Sequence, residues 1–207
     1  MDKRLIPFSL FILLALVVSF ISPYDRFTWL LEVFPILLAL PLIWATGRRF
    51  PLSTLALTLI AVHALILIVG GHYTYARVPL GDWARDWFGW QRNDYDKIGH
   101  FAQGLVPAIV TREILLRTSP LRQSRWLNVL VVCVCLAISA SYEIIEWLVA
   151  ISSGTAADDF LGAQGDIWDT QSDMATALVG AVVSVLMLSG IHDRSLKRLN
   201  RFKASQR

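Results

Sequence analysis

Charge is scarce in this sequence. Only 17% of its 207 residues are Asp, Glu, Lys or Arg, while 55% are hydrophobic. A water-soluble domain of this length has a polar surface to fill, and the shortage excludes one. The polar residues are also clumped between long apolar runs, so the chain reads as an integral membrane protein. Cysteine is nearly absent. Cys133 and Cys135 point about 200° apart on a helix, which excludes a disulfide between them and leaves them as small packing residues. Internal repeats and low-complexity stretches are missing, excluding a repeat architecture. So are HExxH, GxSxG and comparable signatures, which excludes assigning a reaction from a motif alone.

What is present is apolar length. The pattern predicts an all-α, polytopic membrane protein: a single integral domain with six spans, approximately 5–21, 27–46, 52–69, 101–116, 126–151 and 174–191. Each has close to the ~17–25 apolar residues that a bilayer requires. Loops cover approximately 70–99 and 152–172, and 192–207 reads as an exposed basic tail. The first run has a basic start like a signal peptide, but no small-x-small cleavage site follows, and Pro23 stands just after the best position, Ser22. It is expected to be retained as a helix.

The net charge of +3 does not point to nucleic acid, because the basic residues follow the membrane. With a cytoplasmic N-terminus, most of the 19 Lys and Arg fall on the cytoplasmic side, as orientation requires. Both termini are then inside. The segment 152–172 has Asp158, Asp159, Asp166 and Asp169 and no Lys or Arg. Acids contribute little to orientation, so this excess has another cause.

The stretch SYEIIEW places Glu143 and Glu146 inside an apolar run. A carboxylate at the centre of a bilayer costs about 2.5 kcal/mol or more. Glu143 lies about 25 Å from the start of its helix at Trp126, close to the outer surface, and Trp147 marks the interfacial belt. Ser139, Glu143, Glu146 and Ala150 share a face that only other protein can satisfy. The fourth helix begins at the same depth with DYDKIGHFAQG. Asp96, His100, Gln103, Gly104, Pro107 and Thr111 form its stripe, and Asp96 at i, i+4 is placed to orient His100. In the sixth, Asp166, Asp169, Asp173, Thr176, Gly180 and Ser184 do the same. His72 in GGHYTYARV stands at the same outer end.

Other polar residues read as structural. His63 is expected to be a hydrogen-bonded packing residue. Asp158 and Asp159 read as loop or cap residues. Asp82, Arg85, Asp86 and Arg92 belong to a short interfacial helix whose Trp83, Trp87, Phe88 and Trp90 dip into the headgroups. Glu32 is either a site member or an interfacial acid.

SPYDRFTWLLEVFP, GGHYTYARVPLG, DKIGHFAQG, SYEIIEW and GAQGDIWDTQSDM together resemble the YjdF family of bacterial inner-membrane proteins over essentially the whole chain. That resemblance implies an inner-membrane location and a multi-helix form, but no reaction. A weaker likeness to VanZ-like membrane proteins covers the C-terminal half, through Asp96, Lys97, His100 and Phe101, then Glu143 or Glu146, then Asp169 and Asp173. Asp173 replaces the Asn usual there, so what carries over is a shared polar constellation facing the exterior.

Three functions stay open. Glu143, Glu146, His100 and Asp96 are the catalytic candidates for acid–base chemistry on a lipid-linked or periplasmic substrate. A divalent metal ion would draw on His100, His72, Asp166, Asp169 and Asp173, with zinc favouring the histidines and magnesium or manganese the carboxylates. A scaffold, sensor or cation-binding protein would use the same groups without a reaction. A carrier needs polar residues through the inner half as well, where runs such as VLVVCVCLA offer none. A structural network should be fully paired, whereas a site keeps an open position or a pocket.

Overall fold

The computed structural model describes residues 2–153 and 163–204. The described residues are helical, without strands. The elements are α1 (Leu5–Ser19), α2 (Arg26–Thr46), α3 (Thr54–Tyr73), a 3-10 turn (Tyr75–Arg77), α4 (Pro79–Phe88), α5 (Tyr95–Thr118), α6 (Arg125–Ser153) and α7 (Asp169–Val183). A π turn (Ser184–Leu188) carries α7 into α8 (Ser189–Ala204).

Local chemistry sets several of these limits. The Asp25 carboxylate accepts from the Thr28 amide to start α2, and the Ser53 hydroxyl accepts from the Ala56 amide to start α3, both ordinary N-caps. Pro79 opens α4 and Gly89 closes it at a φ of 69°, a left-handed conformation that glycine adopts without strain. Helix α4 is the short helix expected here, and Trp83, Trp87, Phe88 and Trp90 are exposed on or just beyond it.

Four helices are long and apolar enough to cross a membrane: Arg26–Thr46, Thr54–Tyr73, Arg125–Ser153 and the continuous run Asp169–Arg201. Helix α1 is apolar but has 15 residues. Helix α5 has 24 residues but carries charge near both ends. The outward surfaces of these helices are apolar, with Leu14, Leu38, Leu42, Leu186 and Met187 all exposed. Contiguous apolar surface around a bundle is what lipid contacts. This is a multi-pass membrane protein.

The core has two layers. Ile12, Leu16, Trp29, Val33, Ile36, Ala64 and Ile68 join α1, α2 and α3. Ala108, Leu127, Val131, Cys135, Ala181 and Val185 join α5, α6 and α7 with the π turn. Helix α3 packs on α5 and links the layers. Gly104 and Gly180 let α5 and α7 touch backbone to backbone: a Cβ on Gly104 would strike the Ala177 carbonyl, and one on Gly180 the Phe101 carbonyl. Small residues at membrane-helix interfaces serve this close approach. Gly104→Ala or Gly180→Ala is expected to destabilise by roughly 1–3 kcal/mol, toward the upper end because backbone cannot yield. Thermal unfolding in detergent, followed by size exclusion, measures the loss; an unchanged midpoint in both variants would mean that the helices separate freely.

The bundle has one acidic and one basic end. At the basic end, Arg4 donates to the Leu52 carbonyl and the Thr54 hydroxyl, and the Ser195 hydroxyl accepts from the Leu55 amide. Arg4 and Ser195 therefore meet beside the start of α3. The segment from 192 is not the exposed tail expected from its charge. It continues a helix, and His192 and Leu199 on it are buried. Burial of His192 is possible because it and Asp193 have partners on α5.

Candidate functional site

At the acidic end, α5, α6 and α7 bring their polar stripes together. Asp96, Asp169, Asp173, Glu143 and Ser139 are buried, while Ile144, Ile145 and Leu148 on the opposite face of α6 are exposed. The 3.6-residue period accounts for the division: i, i+4 steps carry Ser139 and Glu143 inward together.

Two cations order the rim. The Lys97 ammonium lies 2.9 Å from Asp169, 2.7 Å from Asp173 and 3.4 Å from Asp96. Arg92 lies 2.6 Å from Asp94, 2.7 Å from Asp96, 2.8 Å from Asp169 and 3.7 Å from Asp166. Burial works against the Arg92 charge, but its hydrogen bond to the Asp94 carboxylate and the charges of Asp96 and Asp169 outweigh it and hold the guanidinium above its ordinary pKa. Asn93 and Gln164 exchange bonds between side-chain amide and backbone, and Arg92 donates to the Ala163 carbonyl. The loop before α7 is thereby stapled to the loop before α5.

From sequence, Arg92 belongs with the short helix before it and Lys97 has no evident partner. The structure makes both of them counter-ions of the acidic cluster. The expected pairing of Asp96 with His100 does not form among the described residues, because Arg92 and Lys97 claim that carboxylate. Asp166 and Asp169 are likewise ion-paired. His72 stands apart: its Nδ1 is 2.8 Å from the Ser19 carbonyl oxygen at the end of α1. Asp158 and Asp159 lie outside the described residues.

Beneath the rim the pairing is incomplete. His100 Nε2 is 3.5 Å from Asp173, its Nδ1 is 3.2 Å from Gln103 Oε1, and the same Nδ1 is 3.8 Å from Glu143 Oε1. Glu143 Oε1 is buried and has no hydrogen-bond partner among the described residues, and neither has the Ser139 hydroxyl one turn away. One ligand atom each from His100, Glu143 and Asp173 falls within 4.8 Å of the others. Asp96, Asp169 and Asp173 form a second such group, but the Lys97 ammonium already sits on all three.

Beside this trio is a cavity of about 200 Å³, whose walls include Glu32, His63, Tyr75, His100, Tyr142, Glu146 and Asp173. Glu32, open between two roles from its position, is buried and faces this space. His63 makes no hydrogen bond among the described residues and lines the cavity instead of serving as a bonded packing residue. Tyr75 comes from the 3-10 turn after α3. Burial, reinforced by the Glu32 charge, pushes its phenol well above its usual range, so it faces the cavity as a protonated donor.

A second polar cluster, which sequence reasoning missed, occupies the basic end. Glu113, His192 and Arg112 are buried. Glu113 accepts from Arg117, from the Ser53 amide and, at 3.1 Å, from His192 Nε2. His192 Nδ1 is 2.9 Å from an Arg112 nitrogen, and Arg112 pairs with Asp193 at 2.8 Å. Glu113 and Asp193 each lie at ion-pair distance from an arginine, although Asp193 Oδ1 and Arg112 Nε make no hydrogen bond among the described residues, and the cluster reads as a clamp on α3, α5 and α8. The signal available was Glu113 one helical turn before Arg117.

The inner membrane protein YjdF of Escherichia coli (strain K12) is 54% identical over 190 residues, which are 92% of this chain and 91% of that protein. No solved structure matches. Residues 5–194 match the family described as "Predicted membrane protein (DUF2238)". With the family match reaching from the first helix into α8, the chain belongs to that membrane-protein family.

Proposed function

We propose that this protein is an inner-membrane enzyme with six spans and both termini in the cytoplasm, whose acidic end faces outward. Helices α1 and α5 supply the two spans beyond the four apolar ones. In this orientation the basic end meets the cytoplasm, as Lys and Arg placement favours. Its site holds a divalent cation on His100, Glu143 and Asp173 and performs hydrolysis or group transfer at the membrane surface.

The observation that carries this reading is Glu143 Oε1, buried without a partner beside His100 and a polar cavity. An unpaired buried carboxylate oxygen is costly, and a cation relieves it. One ligand atom from each of the three lies within 4.8 Å of the others, and His with two carboxylates is a donor set that would hold zinc or manganese. One imidazole and two carboxylates leave a coordination position for water, whose pKa such an ion lowers. Glu146, across the cavity, is placed for proton transfer. The carrier reading lacks support, since the path toward the basic end is apolar.

Purified detergent-solubilised protein is expected to contain about one zinc or manganese ion per chain. His100→Ala and Glu143→Gln should each lower occupancy roughly tenfold or more while the variants remain monodisperse. No metal in the parent after loading, or full occupancy in both variants, would contradict the ligand assignment.

A further inference from the structure

The polar cavity adjoins a larger, apolar one. Pro35, His63, Leu67, Pro107 and Ile138 line both the polar cavity and this second one of about 690 Å³. That larger space runs between α2, α3, α5 and α6 with walls such as Ile36, Leu40, Ile60 and Val110, and it reaches Thr46 and Thr118 near the basic end. From Pro35 to Thr46 on α2, and equally from Pro107 to Thr118 on α5, the helical rise is about 17 Å. One leaflet of a bilayer is roughly half of a ~30 Å hydrocarbon core, so the groove has the length of a single lipid tail.

We infer that the site takes an amphiphilic lipid, with one hydrocarbon tail in the apolar groove and a neutral or amine-bearing polar head in the cavity beside His100 and Glu146. The two spaces share five wall residues, so a ligand occupying one at the polar mouth continues into the other. Charge selects the head. Arg92 and Lys97 already compensate Asp96 and Asp173, so the carboxyl groups left to choose the head are those of Glu32 and Glu146, which disfavour a phosphate and favour an ammonium or hydroxyl. The place of the head rests on the site proposed above, whereas the tail groove stands on its own geometry.

Three probes with the same tail test this: oleylamine, oleyl alcohol and oleyl phosphate, titrated into the full-length protein in detergent and read by native mass spectrometry. The amine and the alcohol are expected to bind at least about tenfold more tightly than the phosphate, a difference of about 1.4 kcal/mol. Val110→Trp, which fills the groove, should weaken all three while leaving metal content unchanged. Should that variant fail to fold, Ala39→Phe fills it from the other wall. Glu146→Gln should narrow the gap between amine and phosphate. Equal binding in the filled and parent grooves would mean only annular association and would overturn the inference, as would phosphate binding most tightly. Probe binding in a parent that holds no metal would overturn the metal reading and leave the lipid groove standing.

Discussion

Lys97→Met is expected to destabilise the protein by roughly 3–5 kcal/mol, the usual consequence of removing one partner from a buried ion pair. The ammonium serves Asp96, Asp169 and Asp173 at once, and the Asp173 side chain is only 3% exposed. Methionine keeps most of the volume and removes the charge. Arg92 still compensates Asp96 and Asp169, but among the described residues no Lys or Arg then remains on Asp173. Lys97→Met combined with Asp173→Asn should recover more than half of the loss, because the uncompensated charge goes with its partner. Thermal unfolding in detergent separates the cases. A single variant as stable as the parent would mean that Lys97 is a surface charge rather than the centre of the rim.

Glu113→Ala should cost a similar amount, about 3–5 kcal/mol, although it lies at the opposite end of the bundle. Its carboxylate is fully buried and accepts from Arg117, His192 and the Ser53 amide. Deletion strands all three donors, and Arg117 retains only the Pro51 carbonyl and its stacking on Phe50. Glu113→Gln, which keeps an acceptor but loses the charge, should cost less, about 1–3 kcal/mol. Metal content should stay as in the parent for whichever variant folds, since this clamp is separate from His100, Glu143 and Asp173. Equal stability of Glu113→Ala and parent would show that the clamp holds nothing together.

The helical frame was legible because apolar runs of membrane length have few other uses. The stripes on α5, α6 and α7 were legible too, since spacing alone puts Ser139 with Glu143 and Asp169 with Asp173 on one face. Pairing was not. Lys97 meets Asp169 and Asp173, and His192 meets Glu113, across more than 70 residues of sequence, and no local period reports such contacts. His72 was misplaced for the converse reason. It shares the acidic end with the site, but depth in the bundle does not fix azimuth, and its imidazole turns toward α1. Arg92 follows an aromatic interfacial helix, and only the folded loop swings it over the acids. The charged helix α8 read as a tail because its buried partners lie on another element.

In this proposal His100, Glu143 and Asp173 surround an open cation position while Lys97 fills the neighbouring acidic one. Anomalous diffraction from crystals of the metal-loaded protein tests this most directly. One peak is expected, bounded by His100, Glu143 and Asp173, with the Lys97 ammonium still seated on Asp169 and Asp173. A peak among Asp96, Asp169 and Asp173 with Lys97 displaced, or no peak and a Glu143 Oε1 hydrogen-bonded within the protein, would contradict it.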